Sequence, residues 1–220
     1  MAEWPEVADW RTRITARRLS DRRAAERDAG RRVVRAAIEL VEAGGPDFSV
    51  QEVADRAGVS RRKFYELFPA KDDLILALLT DIGDVQLERR RARVDVAGTT
   101  SLQRLRRALE LAMDPADSND PILRATAELS MRLAPRRADD LRAVMRPWVE
   151  YTAALLAACR AEGLVRSSTA DLMIASFIES AVNERLLRDR VRPDPDDPPP
   201  DVFVELLLHG ALGAPGSGQR

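Results

Sequence analysis

The chain has 220 residues, of which 45% are hydrophobic, 32% charged and 5% aromatic, with a formal net charge of −1. Those proportions suit one or two globular domains and exclude collagen, wholesale disorder and a disulfide-stapled mini-protein. The single cysteine, Cys159, has no internal partner, and the single histidine, His209, leaves little imidazole for zinc binding or general-base work.

No apolar run approaches the roughly 18 residues of a membrane span. The first ten residues carry Glu3, Glu6 and Asp9 but no lysine or arginine, unlike a secretory signal. A cytoplasmic protein is expected. Its near-neutral charge hides a gradient. Residues 11–35 hold ten arginines against three acids, an excess of seven, whereas residues 64–90 hold three bases against six acids. One end of the chain is therefore suited to phosphate.

Helical periodicity runs through nearly every segment and no strand-and-hairpin pattern occurs, so the expected fold class is all-α. The first helix carries Val33, Val34, Ala37, Ile38 and Val41 on one stripe and stops at Gly44-Gly45-Pro46. The arginine-rich lead-in from Ile14 either extends this helix or lies loose. Ser49 and Glu52 form a capping box, with Phe48 and Val53 as its hydrophobic staple, predicting a helix from Val50 to Ala57. Gly58 suits the left-handed closing residue and Ser60 caps the next helix, Arg61 to Phe68, which Pro69 ends. Asp72 and Asp73 open a fourth helix, where the macrodipole favours negative charge; they read as helix-start residues, not a catalytic pair.

Further on, Gly98-Thr99-Thr100 breaks the chain before a helix with Leu102, Leu105, Leu109 and Met113. Asp120-Pro121 starts another, closed by Pro135. A long helix to about Gly163 follows, with Pro147 expected to kink it. Residues 169–190 form a further helix. The proline-rich stretch 193–200 reads as an exposed connector, 202–212 as a last apolar helix, and 214–220 as a disordered tail.

Two short helices joined by a three-residue turn suit a helix-turn-helix, whose second helix enters the DNA major groove. Small Ala54 and Ala57 permit close crossing, while Val53, Val59 and Phe64 fill the space between helices. Ser60, Arg61, Arg62 and Lys63 are left on an exposed turn, suited to phosphate contact and to guanine readout by arginine.

The string from Val33 to Leu79 resembles the TetR family of transcriptional regulators, notably Phe48-Ser49-Val50-Gln51-Glu52-Val53-Ala54 and Phe64-Tyr65-Glu66-Leu67-Phe68-Pro69. The resemblance implies Ser49 and Lys71 as phosphate contacts, Tyr65 as a recognition-helix contact and Phe68 as core. Two departures stand out: Arg62 and Lys63 replace residues that are usually small, and Leu67 replaces a usual His, Tyr or Asn. Four domains are expected: an extension over 1–27, a helix-turn-helix over 28–80, a helical ligand-binding and dimerisation domain over 81–213, and the tail. By analogy with minor-groove arms, Arg17, Arg18, Arg22 and Arg23 would add contacts, unless the extension is a solvated helix paired with its own acids.

Met113, Met131, Met145, Trp148, Tyr151, Leu155 and Phe177 are candidates to line an effector pocket, with Tyr151, Arg132 or Asn183 as polar anchors. Such a pocket would suit a small hydrophobic or amphipathic effector. Phe177, Ala181, Leu207 and Leu208 on the last two helices are the candidate homodimer interface, as the family implies. The reading that results is a ligand-responsive, homodimeric repressor of double-stranded DNA with a near-palindromic operator. The alternative is an all-α ligand carrier or interaction module that no longer reads DNA. No nucleophile–base pair, phosphate loop or metal cluster is recognisable, so neither an enzyme nor a cofactor is expected.

Overall fold

The computed structural model describes residues 8–113, 120–191, 196 and 198–212, apart from the side chains of 8–19, 187, 190–191 and 211–212. The expected tail, Trp4, the side chain of Trp10 and half of the proline-rich connector lie outside that description. Among the described residues there is no strand. The helices are α1 (Ala8–Gly44), α2 (Val50–Ala57), α3 (Arg61–Leu67), α4 (Lys71–Val94), α5 (Ser101–Ala112), α6 (Pro121–Ala161), α7 (Asp171–Val191) and α8 (Pro200–Leu212). No helix among them is long and apolar enough to cross a membrane. The chain divides into two compact units, Met1–Leu74 and Ile75–Arg220.

In the first unit, α1 lays Ala29, Val33, Val34, Ala37 and Val41 into a core shared with Val53 and Ala54 of α2 and Phe64 of α3. Local chemistry sets the geometry of the turn. Ser49 Oγ accepts from the Glu52 amide at 3.2 Å, and Glu52 Oε2 accepts from the Ser49 amide at 2.7 Å, so two orphan donors at the start of α2 are satisfied. Gly58 has φ 65° and ψ 37°, and the Val59 amide beyond it donates to the Ala54 carbonyl at 3.0 Å. An L-side chain at Gly58 would meet the left-handed penalty. Ser60 Oγ then accepts from the Lys63 amide at 3.1 Å and starts α3. Asp73 Oδ2 accepts from the Ala70 amide at 2.9 Å, the helix-start role expected for an acid in the first turn of α4.

The lead-in is continuous with α1, which settles the open alternative in favour of a helical extension. In the second unit α6 packs on α7 and α5, and α5 also meets α8. Their core includes Leu105, Leu109, Leu156, Cys159, Ile178, Val182 and Val204. Arg160 joins the end of α6 to the start of α7, donating to Asp171 Oδ1 at 2.9 and 2.7 Å, to the Ser167 carbonyl at 2.6 Å and to the Thr169 carbonyl at 2.8 Å.

Helix α6 is two helices meeting at a kink at Arg137, φ −132° and ψ 37°, two residues beyond the close expected at Pro135. The kink expected at Pro147 is not found: no residue there has non-helical dihedrals. Proline's fixed φ is itself helical, so the backbone can pass through Pro147 despite the lost hydrogen bond and the crowding of the turn before it.

Candidate nucleic-acid interface and ligand cavity

Helix α3 is held by one side chain. Phe64 is fully buried, with Tyr65 edge-on at 5.4 Å and Phe68 tilted at 5.9 Å between ring centroids. Phe68 is only half-buried, as is Leu67. Arg61, Tyr65, Arg62 and Glu66 are exposed on the rest of the helix, with Lys63 half-buried. Arg61 lies 5.8 Å from the centroid of the Tyr65 ring. Arg62 Nε donates to Glu66 Oε1 at 3.2 Å and Lys63 Nζ to Glu66 Oε2 at 3.3 Å. These two bonds, Lys63 first, hold the Glu66 carboxyl below its ordinary value.

Ser49 and Ser60 are exposed at the starts of α2 and α3, and each uses its oxygen to cap its helix. Each hydroxyl keeps its own proton to donate, so capping and phosphate contact are compatible. Lys71 opens α4; its ammonium donates to the Phe48 carbonyl, lies 4.3 Å from the Phe48 ring centroid and keeps two further N–H donors. It fastens the start of α4 to the segment before α2.

The candidate minor-groove arm is part of helix α1. Arg22 Nε donates to Glu26 Oε1 at 3.1 Å, one turn along α1, and Arg23 is exposed on the same helix. The side chains of Arg17 and Arg18 lie outside the described residues. A helix roughly 10–12 Å across does not enter a minor groove roughly 6 Å wide. Arg22 and Arg23 project from the flank of α1.

In the second unit, a cavity of about 560 Å³ lies among α4, α5, α6 and α7. Ile82, Leu123, Val144, Val182 and Leu186 give it apolar walls, while Arg89, Arg90 and Arg93 from α4 add positive charge. Met145, Trp148 and Asn183 line it, as the sequence suggested. The other candidates do not. Met113, Tyr151 and Leu155 are packed into the core, and Met131 and Phe177 are exposed. Arg132 pairs with Glu128 at the surface. The Tyr151 hydroxyl has no partner in its buried setting, and burial pushes its pKa up to about 12; Asp95 adds to the shift, while Arg90, Arg91 and Arg104 oppose it. Burial likewise pushes up the Cys159 thiol, which suppresses thiolate chemistry.

Sequence reasoning missed Glu179, which is 4% exposed and contributes to the cavity wall. Its Oε1 accepts from the Thr152 hydroxyl. Burial raises its pKa, against the pull of Arg90 and of that hydrogen bond. Arg90 lies 4.3 Å from the Trp148 ring centroid. A signal was present, because Ala175, Ile178 and Val182 define the buried stripe of α7 and Glu179 falls within it.

The expected dimer residues divide. Phe177 is 72% exposed and Ala181 half-buried, but Leu207 and Leu208 belong to the core. The exposed apolar residues on the last two helices are instead Leu172, Met173 and Phe177 of α7 with Val202 and Leu206 of α8.

Residues 33–78 match the family model described as bacterial regulatory proteins, tetR family. Over those residues the chain is a member of the tetR family of bacterial regulatory proteins. It is a DNA-binding transcriptional regulator rather than an enzyme. Two similar proteins are the HTH-type transcriptional regulators EthR of Mycolicibacterium smegmatis and of Mycobacterium tuberculosis. The first is 26% identical over 167 residues, 74% of each chain, and the second 24% identical over 164 residues, 74% of this chain and 75% of that one. The TetR fold extends beyond the matched segment. A crystal structure of Thermus thermophilus FadR, a TetR-family transcriptional repressor in complex with lauroyl-CoA, aligns with a TM-score of 0.66 at 23% identity, covering 86% of this chain and all of that one.

Proposed function

We propose that this TetR-family regulator is a cytoplasmic, homodimeric repressor that releases its operator when a small apolar or amphipathic effector enters the second unit. The observation that carries the DNA half of this reading is the geometry of α3. One buried phenylalanine anchors it, and the helix exposes Arg61, Arg62 and Tyr65, with Ser60 exposed at its cap. Arginine and hydroxyl donors on one exposed helix suit base edges and phosphates together.

The cavity supports the effector half. Its apolar walls offer burial to a hydrophobic body, and the arginines of α4 suit an acidic group on an amphipathic one. The lauroyl-CoA of the Thermus FadR structure is a molecule of that kind. An effector needs only to favour the DNA-incompetent arrangement: a tenfold preference lowers operator affinity by about 1.4 kcal/mol. The apolar residues left exposed on α7 and α8 support a two-fold interface, which would set two α3 helices about 34 Å apart on one face of B-DNA.

Footprinting of the full chain on DNA flanking its own gene tests the proposal. Ala127 is part of the cavity wall, and the expected result is two-fold symmetric protection that lauroyl-CoA or another acyl probe relieves in the wild type and not in an Ala127→Trp variant with a filled cavity. Absence of protection on every flanking fragment at micromolar protein would overturn it.

A further inference from the structure

An acidic residue stands where a DNA-reading helix would be expected to carry none. At about 100° per residue, Arg62 and Glu66, two positions before and after Phe64, both stand about 20° from the line directly opposite it. Phe64 is fully buried, Lys63 and Leu67 are half-buried, and the exposed arc of α3 runs from Arg61 through Tyr65 and Arg62 to Glu66. Glu66 therefore lies on that exposed arc beside Arg62, and its carboxylate occupies both Arg62 and Lys63, at 3.2 and 3.3 Å.

The edges of the bases limit what such a carboxylate can meet. In the major groove guanine presents only acceptors and thymine an acceptor beside a methyl group, so both repel it or leave it unpaired. Adenine offers its N6 amino group, but with the N7 lone pair adjacent. Cytosine alone presents a donor, N4, with no acceptor beside it. We propose that Glu66 is a specificity residue that reads a cytosine in each operator half-site and keeps Arg62 and Lys63 occupied until that base is met. This rests on α3 being the helix that enters the groove. When Glu66 accepts from cytosine N4, Arg62 and Lys63 are released to guanine edges and phosphates. On other sequences the carboxylate either retains them or faces an acceptor, so binding to random DNA stays weak.

Selection from a random duplex library with the full-length chain, followed by fluorescence anisotropy, tests this. The wild type is expected to enrich a two-fold motif with one strongly preferred cytosine per half-site. Glu66→Gln should move that single preference to adenine, because a glutamine amide pairs with N6 and N7 together. Glu66→Ala should flatten it, leaving the rest of the motif in place. Changing the cytosine to thymine should weaken wild-type binding at least tenfold and the alanine variant by no more than about threefold. Affinity of both variants for random duplex should rise several-fold. Glu66 is exposed and bonded only to its helix neighbours, so circular dichroism of the variants should match the wild type.

Three outcomes would contradict expectation, and they separate. If the wild type enriches no motif, the assignment of α3 as the reading helix fails. If the alanine variant keeps the same cytosine, the role of Glu66 alone is overturned. If that variant loses all binding while remaining folded, Glu66 is a general contact and its role as a specificity residue is equally overturned.

Discussion

Truncation of Phe177 is the most informative perturbation of the second unit, because the side chain is 72% exposed and contributes to no core. A phenylalanine side chain presents about 200 Å², so about 140 Å² of it faces outward. Complete burial at about 25 cal/mol per Å² would be worth about 3.5 kcal/mol, and a two-fold interface counts it twice. If half of that area is buried in the dimer and the alanine methyl keeps a share, Phe177→Ala should cost about 2–3 kcal/mol per dimer, a rise of about 30- to 160-fold in the dimer Kd. Sedimentation velocity from nanomolar to micromolar protein reads that shift directly. Thermal stability at high concentration should change little. Leu207→Ala is the contrasting variant: Leu207 is 8% exposed, so its loss should lower stability by about 2 kcal/mol or more without a specific effect on the dimer constant. An unchanged dimer Kd in Phe177→Ala would refute the assignment of this face.

Other expectations follow from single contacts. Phe64→Ala removes the fully buried anchor of α3 and should cost about 3–5 kcal/mol in urea denaturation, abolishing DNA binding with it. Gly58→Ala places an L-residue at φ 65° and should cost about 1–2 kcal/mol, read as a lower melting temperature, although a Cβ there meets no atom within 4 Å. Glu179→Gln tests the buried carboxyl through pH. Burial raises its folded pKa, so the native state holds a proton that the unfolded chain has released. Stability is then complete below the unfolded value of about 4.3 and falls as pH rises through the folded one. The melting temperature of the wild type relative to Glu179→Gln should decline from pH 4 towards pH 8, and a constant difference would contradict the buried setting.

The turn between α2 and α3 was legible because its determinants are local. Ser49 with Glu52, Gly58 and Ser60 each specify a cap within four residues, and no distant contact is needed to decide them. The second unit was harder to read for the opposite reason. Helix α7 carries apolar residues on several sides, so composition could not say whether Phe177 faces a cavity or the outside. In α8 three consecutive leucines left the register open, and the exposed one is Leu206, one residue before the pair that enters the core. Met113, Tyr151 and Leu155 have the size of pocket residues, but whether they line a hollow or fill one depends on how α5 and α6 meet. Glu179 shows what could have been read: a charge on an apolar stripe marks either a fault or a polar wall.

The central claim is that α3 presents Arg61, Arg62 and Tyr65 to duplex DNA. Its most direct test is a salt titration, with anisotropy of a labelled operator duplex measured from 50 to 300 mM salt for the wild type, Arg61→Ala and Arg62→Ala. The wild type should show log affinity falling linearly and steeply with log salt, and the arginine variants should bind more weakly, losing either about one unit of slope or their preference for operator over random DNA. A flat salt response, or identical affinity, slope and preference in all three proteins, would contradict the account.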